Sequence, residues 1–248
     1  MNELFPILKT FDTITLEQIN KVMLLDRIDS KFMFHACCLE EILSLSGKDY
    51  FILEIAGKKL ARYKTTYFDT PDYEMYTRHH NGKLNRHKVR FRNYVDSGIS
   101  FFEIKFKTNK GRTIKSRIKI EDKEPVIQGE AEKLLERETN YKASSLIPVL
   151  QVNYNRITII NRNMMERVTI DFGLSYKHND CIVDIPNLII AEVKQEKTGK
   201  SPFTLIMQEK RIKNISLSKY CLGIASTVKD VKLNNLKPKV RYVNQLFS

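Results

Sequence analysis

Between Lys88 and Arg117 the chain alternates cationic and apolar residues with a period of two, the period of a β-strand whose two faces meet different surroundings. KVRFRNY sets Lys88, Arg90 and Arg92 against Val89 and Phe91. FFEIKFKT sets Glu103, Lys105 and Lys107 against Phe102, Ile104 and Phe106, and TIKSRIKIE sets Lys115, Arg117 and Lys119 against Ile114, Ile118 and Ile120. These segments predict strands over 86 to 95, 100 to 108 and 112 to 121, joined by turns at Asp96-Ser97-Gly98 and Asn109-Lys110-Gly111. Further strands are predicted over 27 to 35, near 50 to 56, and over 61 to 69, 148 to 162, 165 to 176, 181 to 185 and 188 to 196, about nine or ten in all. The later ones keep one charged face: Tyr154, Arg156 and Thr158, then Arg167, Thr169 and Asp171, then Glu192, Lys194 and Glu196.

The helical period marks other segments. Thr13 to Leu25 carries an apolar stripe of Ile14, Ile19, Val22 and Met23 with Thr13 or Thr15 as N-cap, and 38 to 47, 129 to 140, 201 to 213 and 216 to 230 also read as helices. Pro71 signals a further helix start and Asn81-Gly82 its end, while the basic tail from Val231 reads as extended. No linker, repeat or low-complexity tract divides the chain, which predicts one α+β domain over 1–248. Long antiparallel strands in this number commonly close into a barrel, and closure turns the charged face into a lumen.

So many like charges on adjoining strands are tolerable in water or around a matching polyanion. Lys and Arg total 42 against 29 Asp and Glu, a net charge of +13, which implies an anionic partner: nucleic acid, a phosphate-rich small molecule or an acidic membrane. A solvated face is the ordinary account of one such strand, but its recurrence with few acids favours a polyanion site. Arg supplies planar forks and Lys point charges, a mixture suited to a row of phosphates. Cys37, Cys38, Cys181 and Cys221 show neither CxxC spacing nor a disulfide framework, so they read as reduced thiols. No signal peptide and no run of about 18 apolar residues is evident, so a cytoplasmic protein is expected.

Glu103 and Glu192 interrupt the cationic faces in the parallel strings FFEIK and IAEVK, each two residues before a lysine. Either pairs with that lysine, or binds a hard cation, Mg²⁺ or Mn²⁺, together with substrate phosphates. His79, His80 and His87 lack metal-ligand spacing and read as a solvated loop. GxxxxGK[ST] is absent, and TGKS at 198 to 201 repeats only its last residues, so side chains would have to hold a nucleotide here.

Lys31 in RIDSKF, YFDTPDYEMY at 67 to 76, VRFR at 89 to 92, FFEIK with GRTIKSR, VNYNR at 152 to 156, ERVTIDFGL at 166 to 174, AEVK at 191 to 194 and LSKY at 217 to 220 together resemble the VTC domain, the catalytic part of vacuolar transporter chaperone polyphosphate polymerases, within the triphosphate tunnel metalloenzymes. The resemblance runs in order over about Asp26 to Leu222. It implies an antiparallel β-barrel tunnel with flanking helices, gripping a triphosphate or polyphosphate. By this likeness Lys31, Arg90, Arg92, Lys105, Lys115, Arg156 and Arg167 hold phosphates, Tyr154 and Ser218 donate hydrogen bonds, and Lys219 completes the site. Arg117 and Lys194 join the binding set, Arg90, Arg92, Lys219 and Glu192 form the catalytic set, and Glu192, with Glu103 beside it, is the Mn²⁺ or Mg²⁺ ligand. The chain departs from the pattern at RIDSK, where many superfamily members carry an acidic ExExK, and at Ser216, where the family has a basic residue.

Three functions follow as expectations. The first is transfer of the γ-phosphoryl of ATP to a growing polyphosphate chain, with a membrane partner subunit compatible with this reading. The second is hydrolysis of tripolyphosphate or a nucleoside triphosphate in the same tunnel. The third, non-catalytic binding of nucleic acid, gains from the 11 tyrosines but is disfavoured by Glu103 and Glu192, which would repel a phosphodiester backbone.

Overall fold

The computed structural model describes residues 4–20, 27–121, 124–196 and 201–245. In chain order the elements are α1 (Leu4–Lys9), β1 (Thr13–Thr15), α2 (Leu16–Asn20), β2 (Arg27–His35), α3 (Leu39–Ser46), β3 (Tyr50–Glu54), β4 (Ala61–Asp69), α4 (Glu74–His80), β5 (Arg86–Tyr94), β6 (Ile99–Lys107) and β7 (Thr113–Ile120). There follow α5 (Glu130–Glu138), β8 (Ile147–Asn161), β9 (Glu166–His178), β10 (Cys181–Ile185), β11 (Leu188–Glu196), α6 (Pro202–Glu209), α7 (Lys219–Thr227) and α8 (Lys237–Gln245). This is an α+β fold in which the strands join one sheet of order β2-β11-β9-β8-β4-β5-β6-β7, with β3 and β10 attached to β8 and β9, and β1 to β3. Along that path every neighbouring pair is antiparallel.

The sheet curls but does not close. β2 and β5 are five steps apart along it, about 24 Å if it were flat. Yet Lys31 Nζ on β2 donates to Leu217 O at 3.0 Å and Lys88 Nζ on β5 donates to Ser218 Oγ at 2.9 Å, so both strands reach consecutive residues. The expected barrel is corrected to a curled open sheet, because β2 and β7 do not pair among the described residues. The β7 edge carries Lys115, Arg117 and Lys119, charges that blunt a free edge. The outer edge of β2 is covered instead by the segment leading into α7, where Ile215 N donates to Lys31 O at 2.7 Å.

Apolar positions of the convex face are sealed by helices. Phe32, Phe34, Ile157, Ile159, Val168, Ile170, Ala191 and Val193 pack with Leu39, Ile42 and Leu43 of α3 and Phe203 and Met207 of α6. Val89, Phe91, Phe102 and Ile104 pack with Ala131, Leu134 and Leu135 of α5. The foot of the concave face is apolar too: Leu150, Val152, Leu174 and Tyr176 meet Tyr220, Cys221, Leu222 and Ile224 of α7. That arrangement needs a change of face on β9. A one-residue slip flips every side chain beyond it, and the register shifts between Asn153 and Asn155, where Gly173 takes φ +61°. Asp171, Thr169 and Arg167 share the concave side on one side of the bulge, and Leu174 and Tyr176 on the other.

Three expected elements differ. Thr13–Thr15 is a short strand parallel to β3, and α2 begins only at Leu16; β-branched threonines favour the extended form until Thr15 Oγ1 caps Gln18 N at 3.3 Å. Of the predicted stripe, Ile14 and Ile19 are buried, while Val22 and Met23 lie outside the described residues, as do 198–200 of TGKS. α4 starts three residues beyond Pro71 because its cap comes from the end of β4: the Asp69 carboxylate accepts from Met75 N and Tyr76 N, each at 2.8 Å. The tail is not extended throughout, since Val240 and Val243 turn it into α8 by packing on the α7 cluster.

α7 lies so close to the sheet that a Cβ on Gly223 would stand 2.5 Å from both Leu150 Cδ2 and Tyr176 Cδ1. Gly223→Ala is expected to destabilise the protein by about 1–3 kcal/mol through overpacking, measured as a fall in the urea midpoint. An unchanged midpoint would mean that α7 can move away without cost.

Candidate anion-binding active site

On the concave face above α7, register brings the predicted residues together. Arg90 lies opposite Tyr67 on β4 and Glu103 on β6, Lys105 lies between Lys88 and Lys115, and Glu192 on β11 lies between Lys31 and Thr169. Arg156 pairs with Asp171, and Lys194 with Arg167 and Asp29.

Three carboxylates hold the cations in place. Glu103 is fully buried; Arg90 Nε and Nη2 donate to its Oε2 at 2.8 and 2.6 Å, Arg92 Nη1 is 3.8 Å from the same oxygen, and Lys115 pairs with Oε1. Asp171 takes a bidentate fork from Arg156 at 2.5 and 2.7 Å and Lys219 Nζ at 2.5 Å. Glu192 accepts from Lys194 Nζ at 2.5 Å, and the same ammonium reaches Asp29 at 3.0 Å. Glu192 thus pairs with the lysine two residues on, whereas Glu103 pairs with the neighbouring strands. Burial would raise all three carboxyls, but the cations outweigh it and hold each below its ordinary value: Arg90, Arg92 and Lys115 at Glu103, Arg156 and Lys219 at Asp171, Lys31 and Lys194 at Glu192.

Aromatic rings line the gaps. Tyr63 and Tyr154 stack with centroids 5.0 Å apart, Arg156 lies over both, Arg92 over Tyr63 at 5.7 Å, and Lys219 over Tyr154 at 5.1 Å. Tyr67 OH accepts from Arg90 Nη1 at 3.2 Å. Burial would raise that phenol, but Arg90, Arg92 and Lys88 lower it.

Uncompensated positive charge remains. Lys105 is pushed down to about 6, chiefly by Arg90, then by burial and Arg92. Glu192, five strand steps away, also acts on Lys105, a second sign that the sheet wraps round. Ser218 N-caps α7 by accepting from Cys221 N, so the helix start and Lys219 are set into the concave face. Arg117 stands apart: it is exposed, opposite Glu103 in register, with its guanidinium over Phe101 at 4.8 Å.

Sequence reasoning left Asp171, Tyr63 and Tyr67 out of the site. Asp171 sat visibly on the charged face of β9, and an acid between arginines was the signal. The histidines are not in a solvated loop: His79 accepts from Arg86 Nε at 2.8 Å, His80 is buried and accepts from Asn235 N at 3.1 Å, and His87 stacks on Phe106.

Solved structures share this fold. The chain is similar to a candidate adenylate cyclase from Bacillus halodurans, with 15% identity, 82% of this chain and 98% of that one covered, and a TM-score of 0.54. It is also similar to a candidate adenylyl cyclase from Hippeastrum, described as having a dominant triphosphatase activity, with 11% identity, 82% and 98% covered, and a TM-score of 0.51. The VTC domain profile matches residues 26–228, and the chain belongs to that family. No curated protein matches it.

Removing the negative centre of the site has a defined consequence. Glu103→Gln leaves Arg90, Arg92 and Lys115 facing one another without a counter-charge, and a loss of about 3–5 kcal/mol is expected, read from chemical denaturation. Lys105 predicts a pH dependence. An unfolded lysine titrates near 10.4, so between pH 6 and 10 the unfolded chain binds a proton that native Lys105 does not, and stability rises with pH across that window. Lys31, Lys88 and Lys115 are lowered too, in their case chiefly by burial, and contribute slopes of the same sign. Lys105→Met should flatten the dependence; a slope identical to wild type would assign it to the other lysines.

Proposed function

We propose that this protein is a metal-dependent polyphosphate polymerase that transfers the γ-phosphoryl of ATP to a growing phosphate chain. The coarser statement, an enzyme of the triphosphate tunnel type acting on phosphates, is supported by the family and by the fold. The observation that carries the reading is the concave cluster of Arg90, Arg92, Lys105, Lys115, Arg156 and Lys219, which exceeds its three carboxylates in charge.

Phosphoryl transfer requires little covalent chemistry from a protein and much positioning and charge stabilisation. Arg90, Arg92 and Arg156 offer planar forks to phosphate oxygens, Lys31, Lys105 and Lys115 point charges, and Lys219 sits at the N-terminus of α7. Arg167 and Lys194 extend the cationic wall on β9 and β11, Tyr154 and Ser218 add hydroxyls, and Arg117 meets the ligand at the rim. Incoming phosphates also relieve the repulsion that lowers Lys105.

A divalent cation fits beside Glu192. Its carboxylate and that of Asp29 converge on one Lys194 ammonium, at 2.5 and 3.0 Å, so two hard oxygen donors already share a cationic point. In this reading Mg²⁺ or Mn²⁺ is held by one or two carboxylates and substrate oxygens, and among the described residues no group of three or more His, Cys, Asp or Glu is present. Bound there, such an ion supplies Lewis-acid charge to the transferring phosphoryl group. Glu103, enclosed by three cations, serves as their counter-ion in this reading.

The second reading, a triphosphatase, gains from the activity described for the Hippeastrum protein. Incubating the purified protein with ATP and Mn²⁺ or Mg²⁺ separates them: chains longer than the triphosphate supplied support the polymerase, orthophosphate alone the hydrolase. Among the described residues no helix is long and apolar enough to cross a membrane, and a membrane partner subunit and a cytoplasmic setting remain part of the proposal. Glu192→Gln should lower metal-dependent turnover at least about a hundredfold while metal-free tripolyphosphate binding is retained. Overlapping Mn²⁺ titrations for mutant and wild type would remove Glu192 from the mechanism.

A further inference from the structure

An aromatic row crosses the concave face at the end of the groove beyond Arg92. Tyr154 on β8, Tyr63 on β4, Tyr94 on β5 and Phe101 on β6 come from neighbouring strands, with ring centroids 5.0, 4.8 and 5.8 Å apart in that order. Arg117 of β7 ends the row, its guanidinium over Phe101 at 4.8 Å. Alternation puts these rings on the side of the phosphate-facing bases, because Tyr94 follows Arg92 by two residues and Phe101 precedes Glu103 by two.

The two halves of the row differ. Tyr154 is buried and Tyr63 packs with the cluster around α7, so the core accounts for both. Tyr94 and Phe101 are only half-buried and belong to none of the apolar clusters among the described residues. Ile99, opposite Tyr94 on β6, is 37% exposed on the same side. Apolar surface is thus left to water at the end of a cationic groove, where covering it with a ligand is favourable.

The neighbouring cations set the chemistry of that ligand. Arg92 lies over Tyr63 at 5.7 Å, and Arg156 lies over Tyr63 at 5.0 Å and Tyr154 at 5.4 Å, so the row is continuous with the guanidinium forks of the groove. From Arg90 to Tyr94, β5 advances four residues, about 13 Å of strand. A ligand that matches both ends is anionic at one and a flat ring at the other. Bases stack on aromatic faces whatever their identity, and a guanidinium plane adds a cation–π contact.

We propose that Tyr94, Phe101 and Arg117 form a nucleobase platform, on which the base of a nucleoside triphosphate stacks while its phosphates lie along Arg90, Arg92 and Arg156. The donor must then carry a base, but which base matters little. The inference rests on the anion groove proposed above and adds to it a subsite that holds no phosphate.

Calorimetric titration of the full chain, without metal, with ATP, GTP and ribose triphosphate tests it; the last keeps the phosphates and the sugar and lacks only the base. Wild type should bind ATP at least about tenfold more tightly than ribose triphosphate, the weight of one stacked base, and GTP within about threefold of ATP. Phe101→Leu and Tyr94→Leu keep apolar bulk but lose the ring face, and each should weaken ATP about fivefold and ribose triphosphate less than about twofold. Phe101→Tyr should bind as wild type does. Equal losses for both ligands, or none, would overturn the platform while leaving the groove intact, as would equal wild-type affinities for ATP and ribose triphosphate. A preference for ATP over GTP beyond about tenfold would mean that a base edge is read, and would overturn it too. An oligoadenylate without a terminal phosphate that displaces ATP at lower concentration would reassign the row to nucleic acid. If wild type binds none of the triphosphates, the anion groove itself falls, and the platform with it.

Discussion

The structure depends on keeping more cations than anions on one concave surface without the fold flying apart. Three carboxylates solve most of that problem, and each sits where strands or helix meet: Glu103 between β5, β6 and β7, Asp171 between β8, β9 and the start of α7, Glu192 between β2, β9 and β11. Glu103 and Asp171 bind neighbours from more than one element, so their ion pairs fix the curvature of the sheet as well as its charge, while Glu192 pairs within β11. Such pairs add little net stability over an apolar core, but losing one partner is costly, which makes them locks on geometry. The remaining excess is the part available to a ligand.

Packing decides where that excess is presented. α7 fills the apolar foot of the concave face, its Gly223 against Leu150 and Tyr176, and its capped start carries Ser218 and Lys219 into the groove. The β9 bulge at Gly173 lets one strand supply Asp171 to the groove and Tyr176 to the foot. Convex-face helices take no part in the site but bury the residues that alternate with those of the site, such as Val89, Phe91, Phe102, Ile104, Val168 and Ile170, which keeps the strands in register.

This arrangement suits chemistry carried by electrostatics. A preorganised row of forks and point charges needs no reorganisation when charge spreads over a phosphoryl group, and aromatic rings between the guanidinium groups hold them apart without neutralising them. The price of preorganisation is a strained charge balance in the free protein, visible in Lys105, which is depressed chiefly by Arg90.

The strands, their cationic face and most of the residues on it were legible because a period of two is local: KVRFRNY and FFEIKFK specify which side chains share a side whatever lies beyond. β2, β4 to β11 and the helices α3, α5, α6 and α7 fall close to their predicted positions for that reason. Local signals failed where a distant residue supplied the decisive contact. Asp69 moved the start of α4 beyond Pro71, β3 drew Thr13–Thr15 into a strand, and α7 gave the tail a surface on which Val240 and Val243 make a helix. Closure was misjudged because the count of strands does not say whether the last edge meets the first; here α7 and the segment before it fill the gap at β2. Which carboxylate answers which base was likewise undetermined, since Glu103 and Lys105 are adjacent on one strand while the partners of Glu103 come from β5 and β7. Alternation set the charges on one face, and only the curling of the sheet around α7 brought them within reach of one ligand.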